Sequence, residues 1–251
     1  MIPLVRGWTA IERTQQANAR LGITLCFVAG AANAGGFLAV GQYTSHMTGI
    51  ISAVADHLVL GEVILALAGL AALAAFVAGA ICTAWLVNWG LRRQLHSAYG
   101  LPLLLEAGLL LVFGLFGAAI HVSAGHLVPM TVLLLCFMMG LQNAVITKIS
   151  KAEIRTTHVT GLVTDLGIEL GKLMYVNPQD ESAPVRANRH KLRIHLQLVG
   201  SFFAGALLGA LGFKHLGFVA TLPLAALLAL LALRPLAQDL HALRRLRSPD
   251  L

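Results

Sequence analysis

Charged side chains are scarce in this sequence. Asp, Glu, Lys and Arg make up 12% of the 251 residues and apolar types 57%, where a soluble globular domain carries roughly a quarter charged. With a mean hydropathy of +0.79, the chain has too little ionic surface to cover a water-soluble fold of this size and is expected to sit in lipid. Cysteine is scarce too: Cys26, Cys82 and Cys136 all lie inside apolar runs, which argues against a disulfide framework. Also missing are a phosphate-binding glycine loop, a nucleophile elbow and a zinc-protease helix, so no enzyme, no catalytic residue and no cofactor is expected. The first twenty residues mix Arg6, Arg13 and Arg20 with polar neighbours. They hold no continuous apolar core, and no cleavable signal is expected.

The net charge is +7, but the basic residues fall in short segments between apolar runs, as cytoplasmic charge does in a membrane protein. The expected partner is therefore the lipid bilayer and not nucleic acid. Apolar runs predict helices over about 21–40, 62–89, 101–120, 130–149, 192–213 and 216–233, each near the ~20 residues that cross ~30 Å of hydrocarbon. Two shorter segments, 45–60 and 156–174, carry Asp56 and His57, and Asp165, Glu169 and Lys172; they are poor crossings. Ser45 is expected to cap the first of them. Residues 1–20 read as a surface helix or an unstructured tail, 121–126 as a turn, 176–191 as an exposed cytoplasmic loop and 235–251 as a basic tail.

The chain repeats itself. CFVAGAANAGGFLAVGQYTSHMTG, from Cys26 to Gly49, and CFMMGLQNAVITKISKAEIRTTHVTG, from Cys136 to Gly161, both read Cys-Phe-x-x-Gly-x-x-Asn-Ala and then His-x-Thr-Gly. A third block, Phe76-Val77-Ala78-Gly79-Ala80, matches Phe202-Phe203-Ala204-Gly205-Ala206 in the same order. Three matches in register argue for an internal duplication, with repeats over about 21–121 and 130–234.

Charge then sets the topology. If the two short segments do not cross and the N-terminus is inside, Arg92 and Arg93, Lys148, Lys151 and Arg155, Arg186, Arg189 and Lys191, and Arg244, Arg245 and Arg247 all fall on the cytoplasmic side. If both cross, Arg92 and Arg93 move outside, against the positive-inside bias. The expected fold is thus an all-α polytopic membrane bundle. It is a single domain over 1–251, with six transmembrane helices, two short re-entrant helices, an inverted-topology 3+3 repeat and both termini cytoplasmic. Short non-crossing helices in inverted repeats meet near the midplane in transporters and channels.

The duplicated motif supplies the candidate substrate path: Asn33, His46, Thr48 and Gly49, and Gln142, Asn143, His158, Thr160 and Gly161. Each Asn either bonds substrate or unwound backbone, or ties two helices together at about 1 kcal/mol. Each His either carries protons in a cavity or caps a helix. Glu106, Asp165 and Glu169 are candidates for proton coupling, because an ionisable group at membrane depth needs a partner or a cavity. Lys172, three residues after Glu169, offers a salt bridge as the alternative. Cys26, Cys136, His46 and His158 match no established metal spacing, and no metal site is expected.

The paired stretches GAANAGGFLAVGQYTSHMTG and GLQNAVITKISKAEIRTTHVTG resemble the YoaK-like family of bacterial inner-membrane proteins, a domain of unknown function, over roughly 21–233. The resemblance implies a multi-pass protein of the bacterial inner membrane and supplies no substrate. Two positions depart from the family pattern: Asn33 stands where Asp is usual, and Ile50 where Asn usually follows Thr-Gly. An unknown small solute or ion is expected as the transported partner of a transporter or permease, and homo-oligomerisation is left open. The other reading is a non-transporting scaffold or sensor whose polar motifs are structural.

Overall fold

A computed structural model describes residues 14–119, 124–152, 154–177 and 184–247. Every regular element among them is helical: α1 Gln15–Val40, α2 Met47–Val59, α3 Val63–Arg92, α4 Gly100–Ala119, α5 Ala124–Ile149, α6 Val159–Met174, α7 Arg189–Leu216 and α8 Thr221–Arg247, with a 3-10 turn at Gly217–Ala220 before α8. Thr14 opens α1 by accepting the Ala17 N–H at 3.2 Å, so the helix begins ahead of the apolar run. The surface helix or tail expected at the N-terminus lies outside the described residues up to position 13, as do residues 121–123 of the expected turn; its remainder, 124–126, is instead the first turn of α5. The loop of 176–191 ends earlier than expected. Asn188 caps α7 by accepting the Lys191 N–H, and the Asn177 side chain pairs with both backbone groups of Val185 across the loop.

Among the described residues five helical segments are long and apolar enough to cross a membrane: Gln15–Val40, Val63–Arg92, Gly100–Ala119, Leu127–Ile149 and Arg189–Leu233. The last has 45 residues, about 68 Å of helix, and is broken where Gly217 adopts φ 60 and ψ −147. By contrast α2 has 13 residues and α6 has 16, about 20 and 24 Å, short of a ~30 Å hydrocarbon core. Large apolar side chains such as Ile64, Leu67, Trp85, Phe203 and Leu115 are exposed, an exterior suited to hydrocarbon rather than water.

Glycine decides which helices meet. A Cβ on Gly30 would strike Phe202 O of α7, and one on Gly205 would strike Phe27 O of α1; likewise Gly79 faces Phe137 O and Gly140 faces Phe76 O. Thus α1 packs on α7 and α3 on α5, backbone against backbone. Along α1 and α7 the contacts rise together, from Gly22 with Leu198 to Gly35 with Phe213, so the two run parallel. The same holds for α3 and α5, from Gly79 with Phe137 to Asn88 with Lys148. Gly36 meets Leu135 while Gly22 meets Ile154 beyond the other end of α5, so α1 and α5 are antiparallel. Gly100 against Ala232 and Gly114 against Thr221 make α4 and α8 antiparallel too. These directions gather Arg92, Arg93, Lys148, Lys151, Arg189 and Lys191 at one end of the bundle. The core between the pairs holds Leu25, Val28, Leu103, Leu110, Phe113, Met138, Leu141 and Leu228.

Both short helices start deep. Gly41 ends α1 with φ 73, a left-handed turn that a Cβ would oppose, and the chain then doubles back until Ser45 bonds Asn33. Asn33 lies seven residues before Val40, about 10 Å back along the axis. After α5, Thr157 returns to Asn143 in the same way. From there α2 runs antiparallel to α3, with Val54 under Gly69 and His57 bonded to Glu62. Two expectations fail. Ser45 does not cap α2, because its hydroxyl is turned to Asn33 and His46 holds the N-cap position. The basic tail also continues α8 as helix to Arg247, because Asp239 is fastened to the α3–α4 turn.

Candidate functional site

The two motifs fold alike around their asparagines. Asn33 Oδ1 accepts the Ser45 hydroxyl at 3.0 Å. Asn143 does more: its Nδ2 donates to Thr157 Oγ1 at 2.7 Å and Met139 O at 2.8 Å, while its Oδ1 accepts the Thr156 hydroxyl at 3.2 Å and the Thr157 N–H at 3.4 Å. Each carboxamide therefore holds the linker that launches a short helix. In the first motif the Thr44 hydroxyl, which corresponds to that of Thr156, is buried and finds no partner among the described residues. Cys26 Sγ donates to Thr156 O at 3.5 Å, tying α1 to the second linker.

The glycines of His-x-Thr-Gly have a steric role. A Cβ on Gly49 would collide with the His46 ring, and one on Gly161 with the His158 ring; each imidazole lies back over the first turn of its own helix. Neither ring makes a capping hydrogen bond. The backbone N–H groups of Thr48 and Gly49, and of Val159, Thr160 and Gly161, find no acceptor among the described residues. The Arg155 guanidinium donates to His158 Nδ1 at 3.3 Å. Because arginine only donates, that nitrogen offers its lone pair and the ring proton sits on Nε2.

Two open cavities meet here. One, of about 530 Å³, is lined by Asn33, Ala34, Phe37, Tyr43 and Phe202 among others. The other, of about 640 Å³, is lined by Thr48, Phe76, Asn143, Lys148, Arg155 and His158 among others. Ser45, His46, Thr157 and Thr160 line both. The linings match motif by motif: Asn33 and Phe202 in one cavity, Asn143 and Phe76 in the other.

Six of the candidate path residues, Asn33, His46, Thr48, Asn143, His158 and Thr160, thus come together, with Gly49 and Gly161 beneath the imidazoles. Gln142 does not join them: it is buried, and neither amide atom has a partner among the described residues. Glu106 is buried in α4, apart from both cavities, and neither carboxylate oxygen has a partner among the described residues. Asp165 and Glu169 face α7. Asp165 sits 3.3 Å from Lys191 and 3.7 Å from His195. Glu169 accepts from Lys172 at 2.8 Å and from the Asn188 N–H at 2.6 Å. The Lys172 hydrogen bond, followed by that of Asn188, holds the Glu169 carboxyl below its usual range despite burial. Among the described residues no three His, Cys, Asp or Glu side chains are grouped to hold a metal.

Sequence reasoning missed the site roles of Ser45 and Thr157, the cations Lys148 and Arg155, and Tyr43, which stacks on Phe37 at 4.7 Å. A signal was there for the first two, since a hydroxyl precedes the histidine in both Thr44-Ser45-His46 and Thr156-Thr157-His158. No curated protein and no solved structure matches the chain. Residues 21–234 match DUF1275, a family described as a protein of unknown function, in keeping with the resemblance to YoaK-like membrane proteins; the match spans most of the sequence, and the protein belongs to that family.

Proposed function

We propose that the protein is a small-solute transporter or permease of the bacterial cytoplasmic membrane. It crosses six times and dips α2 and α6 into the bilayer from opposite faces, as two inverted copies of one three-span unit. The observation that carries this reading is the pair of open cavities that share Ser45, His46, Thr157 and Thr160. A purely structural motif would instead be filled by packing. Since α1 and α5 are antiparallel, the cavity beside the end of α1 and the cavity beside the end of α5 open in opposite directions, and the four shared residues form the constriction between them. Half-helices beginning at such a point, with irregular backbone beside a polar space, suit a transport path. The basic ends of α3, α5 and α7 then face the cytoplasm.

Two measurements test the reading. Single cysteines placed along 41–61 and 155–175 should react with aqueous reagents around the linkers and helix starts, the first set from outside and the second from inside. Protein in liposomes should move a solute at a rate lowered by His46→Ala and by Asn143→Ala. Unchanged flux in both variants removes the site, and reagent access to both sets from one side only removes the inverted arrangement.

A further inference from the structure

Among the described residues, the Lys and Arg side chains that line the two cavities meet no Asp or Glu there. Lys148, near the end of α5, and Arg155, in the linker that follows, both line the larger cavity, and no Asp or Glu among the described residues lines either one. Neither cation has a carboxylate partner among the described residues. Lys148 Nζ donates to the neutral Asn88 amide at 3.2 Å, and Arg155 donates to the His158 ring; Glu153 lies outside the described residues. The acidic groups of α6 are engaged elsewhere, Asp165 with Lys191 and His195, and Glu169 with Lys172 and Asn188. Among the described residues, then, nothing acidic lies beside Lys148 and Arg155, and their field reaches the open space.

Deeper in, the constriction adds to this field. Both short helices begin there with first-turn N–H groups that lack acceptors, and a helix N-terminus carries roughly half a positive charge. Two such ends face a region lined by hydroxyls, amides and imidazoles. The opposite mouth, with Asn33, Phe37 and Tyr43, is uncharged.

We infer that the solute is a small anion, inorganic or a short carboxylate, gathered by Arg155 and Lys148 at the basic mouth and passed to the N-termini of α2 and α6 at the constriction. This rests on the transport reading above and adds the class of solute. The two cations raise the local anion concentration at the mouth, and the helix ends replace part of the lost hydration without a fixed charge that would trap the ion.

The test is flux into proteoliposomes holding the full chain, with nitrate, phosphate, lactate and succinate as anionic probes, potassium as the cationic probe and glycerol as the neutral one. At least one anion is expected to cross. Its rate should fall about tenfold in Arg155→Gln and in Lys148→Gln, with Arg155→Lys retaining most of it; both side chains are exposed, so the variants should elute and melt like the parent. Potassium or glycerol flux without any of the anions overturns the anion assignment and leaves transport standing. Anion flux unaltered in both glutamine variants overturns the role of the basic mouth. No movement of any probe overturns the anion assignment and the transport reading together.

Discussion

Gly30 of α1 and Gly205 of α7 lock two helices at a single crossing: each glycine occupies the place where the other helix presents a phenylalanine carbonyl, Phe202 O to Gly30 and Phe27 O to Gly205. Gly79 and Gly140 do the same for α3 and α5, with Phe137 O and Phe76 O. The obstacle at each crossing is backbone, so no rotamer change can relieve an added side chain; the helices themselves must part.

Substitution of these glycines should therefore be costly. Gly30→Leu or Gly205→Leu should lower stability by at least about 2 kcal/mol, at or beyond the usual cost of overpacking, and should widen the cavity lined by Phe202. Gly108→Ala and Gly171→Ala are the controls, because a Cβ there meets nothing within 4 Å; they should be neutral or stabilising by up to about 1 kcal/mol. Thermal unfolding in detergent separates the two groups. Equal losses in both would mean that the close crossings carry no special weight.

The two asparagines should differ although the motif is the same. Among the described residues Asn143 makes four hydrogen bonds and Asn33 one. A net hydrogen bond contributes about 1 kcal/mol, and a buried partner left unsatisfied costs more. Asn143→Leu should therefore destabilise by about 2–3 kcal/mol and speed amide exchange of Thr157, whereas Asn33→Leu should cost about 1 kcal/mol or less. A larger loss at Asn33 would contradict the bonding described for the two linkers.

The helices and their repeated motif were legible in the sequence because apolar runs and short signatures are local. Cys-Phe-x-x-Gly and Phe-x-Ala-Gly were both visible as repeats. What could not be seen was that the first kind packs on the second from the other half, Gly30 on the Phe202 block and Gly140 on the Phe76 block, since nothing local specifies a contact between distant parts of the chain. Pro235 lies inside α8, although a proline normally stops a helix. Here it packs beside Gly100 while Asp239 anchors the next turn, and tertiary contacts outweigh the lost N–H. In the site, His46, His158 and the asparagines stood out as residue types rare in lipid, while Lys148 and Arg155 were absorbed into the count of cytoplasmic charge.

Glu169 should fasten the end of α6 to the start of α7. Its carboxylate accepts from Lys172 and from the N–H of the Asn188 cap, and at the corresponding joint His57 bonds Glu62, the N-cap residue of α3. Glu169→Ala should raise hydrogen exchange across Val159–Met174 and at Asn188, while Asp56→Ala should change neither, since no hydrogen bond or ion pair is made by its side chain among the described residues. Protected exchange in Glu169→Ala would show that apolar packing alone holds the two helices together.

Asp239 should make stability depend on acid pH. Burial pushes its carboxyl up, but the hydroxyl and N–H of Ser97 and the N–H and ring of His96 outweigh this and hold it below the usual carboxylate range. Its oxygens take the Ser97 hydroxyl at 2.6 Å, the Ser97 N–H at 2.9 Å and the His96 N–H at 2.7 Å. A group whose folded pKa is depressed contributes stability that is present above its unfolded pKa and lost as pH falls through the folded one. Asp239→Asn, which keeps one acceptor and loses the other, should cost about 1–3 kcal/mol near neutral pH. The gap between parent and variant should stay constant down to about pH 5, begin to narrow below about pH 4, where the unfolded carboxyl takes up its proton, and go on narrowing until the folded carboxyl does so too. A gap that persists unchanged at about pH 3 would mean that the α3–α4 turn is held by packing on α8 and not by this carboxylate.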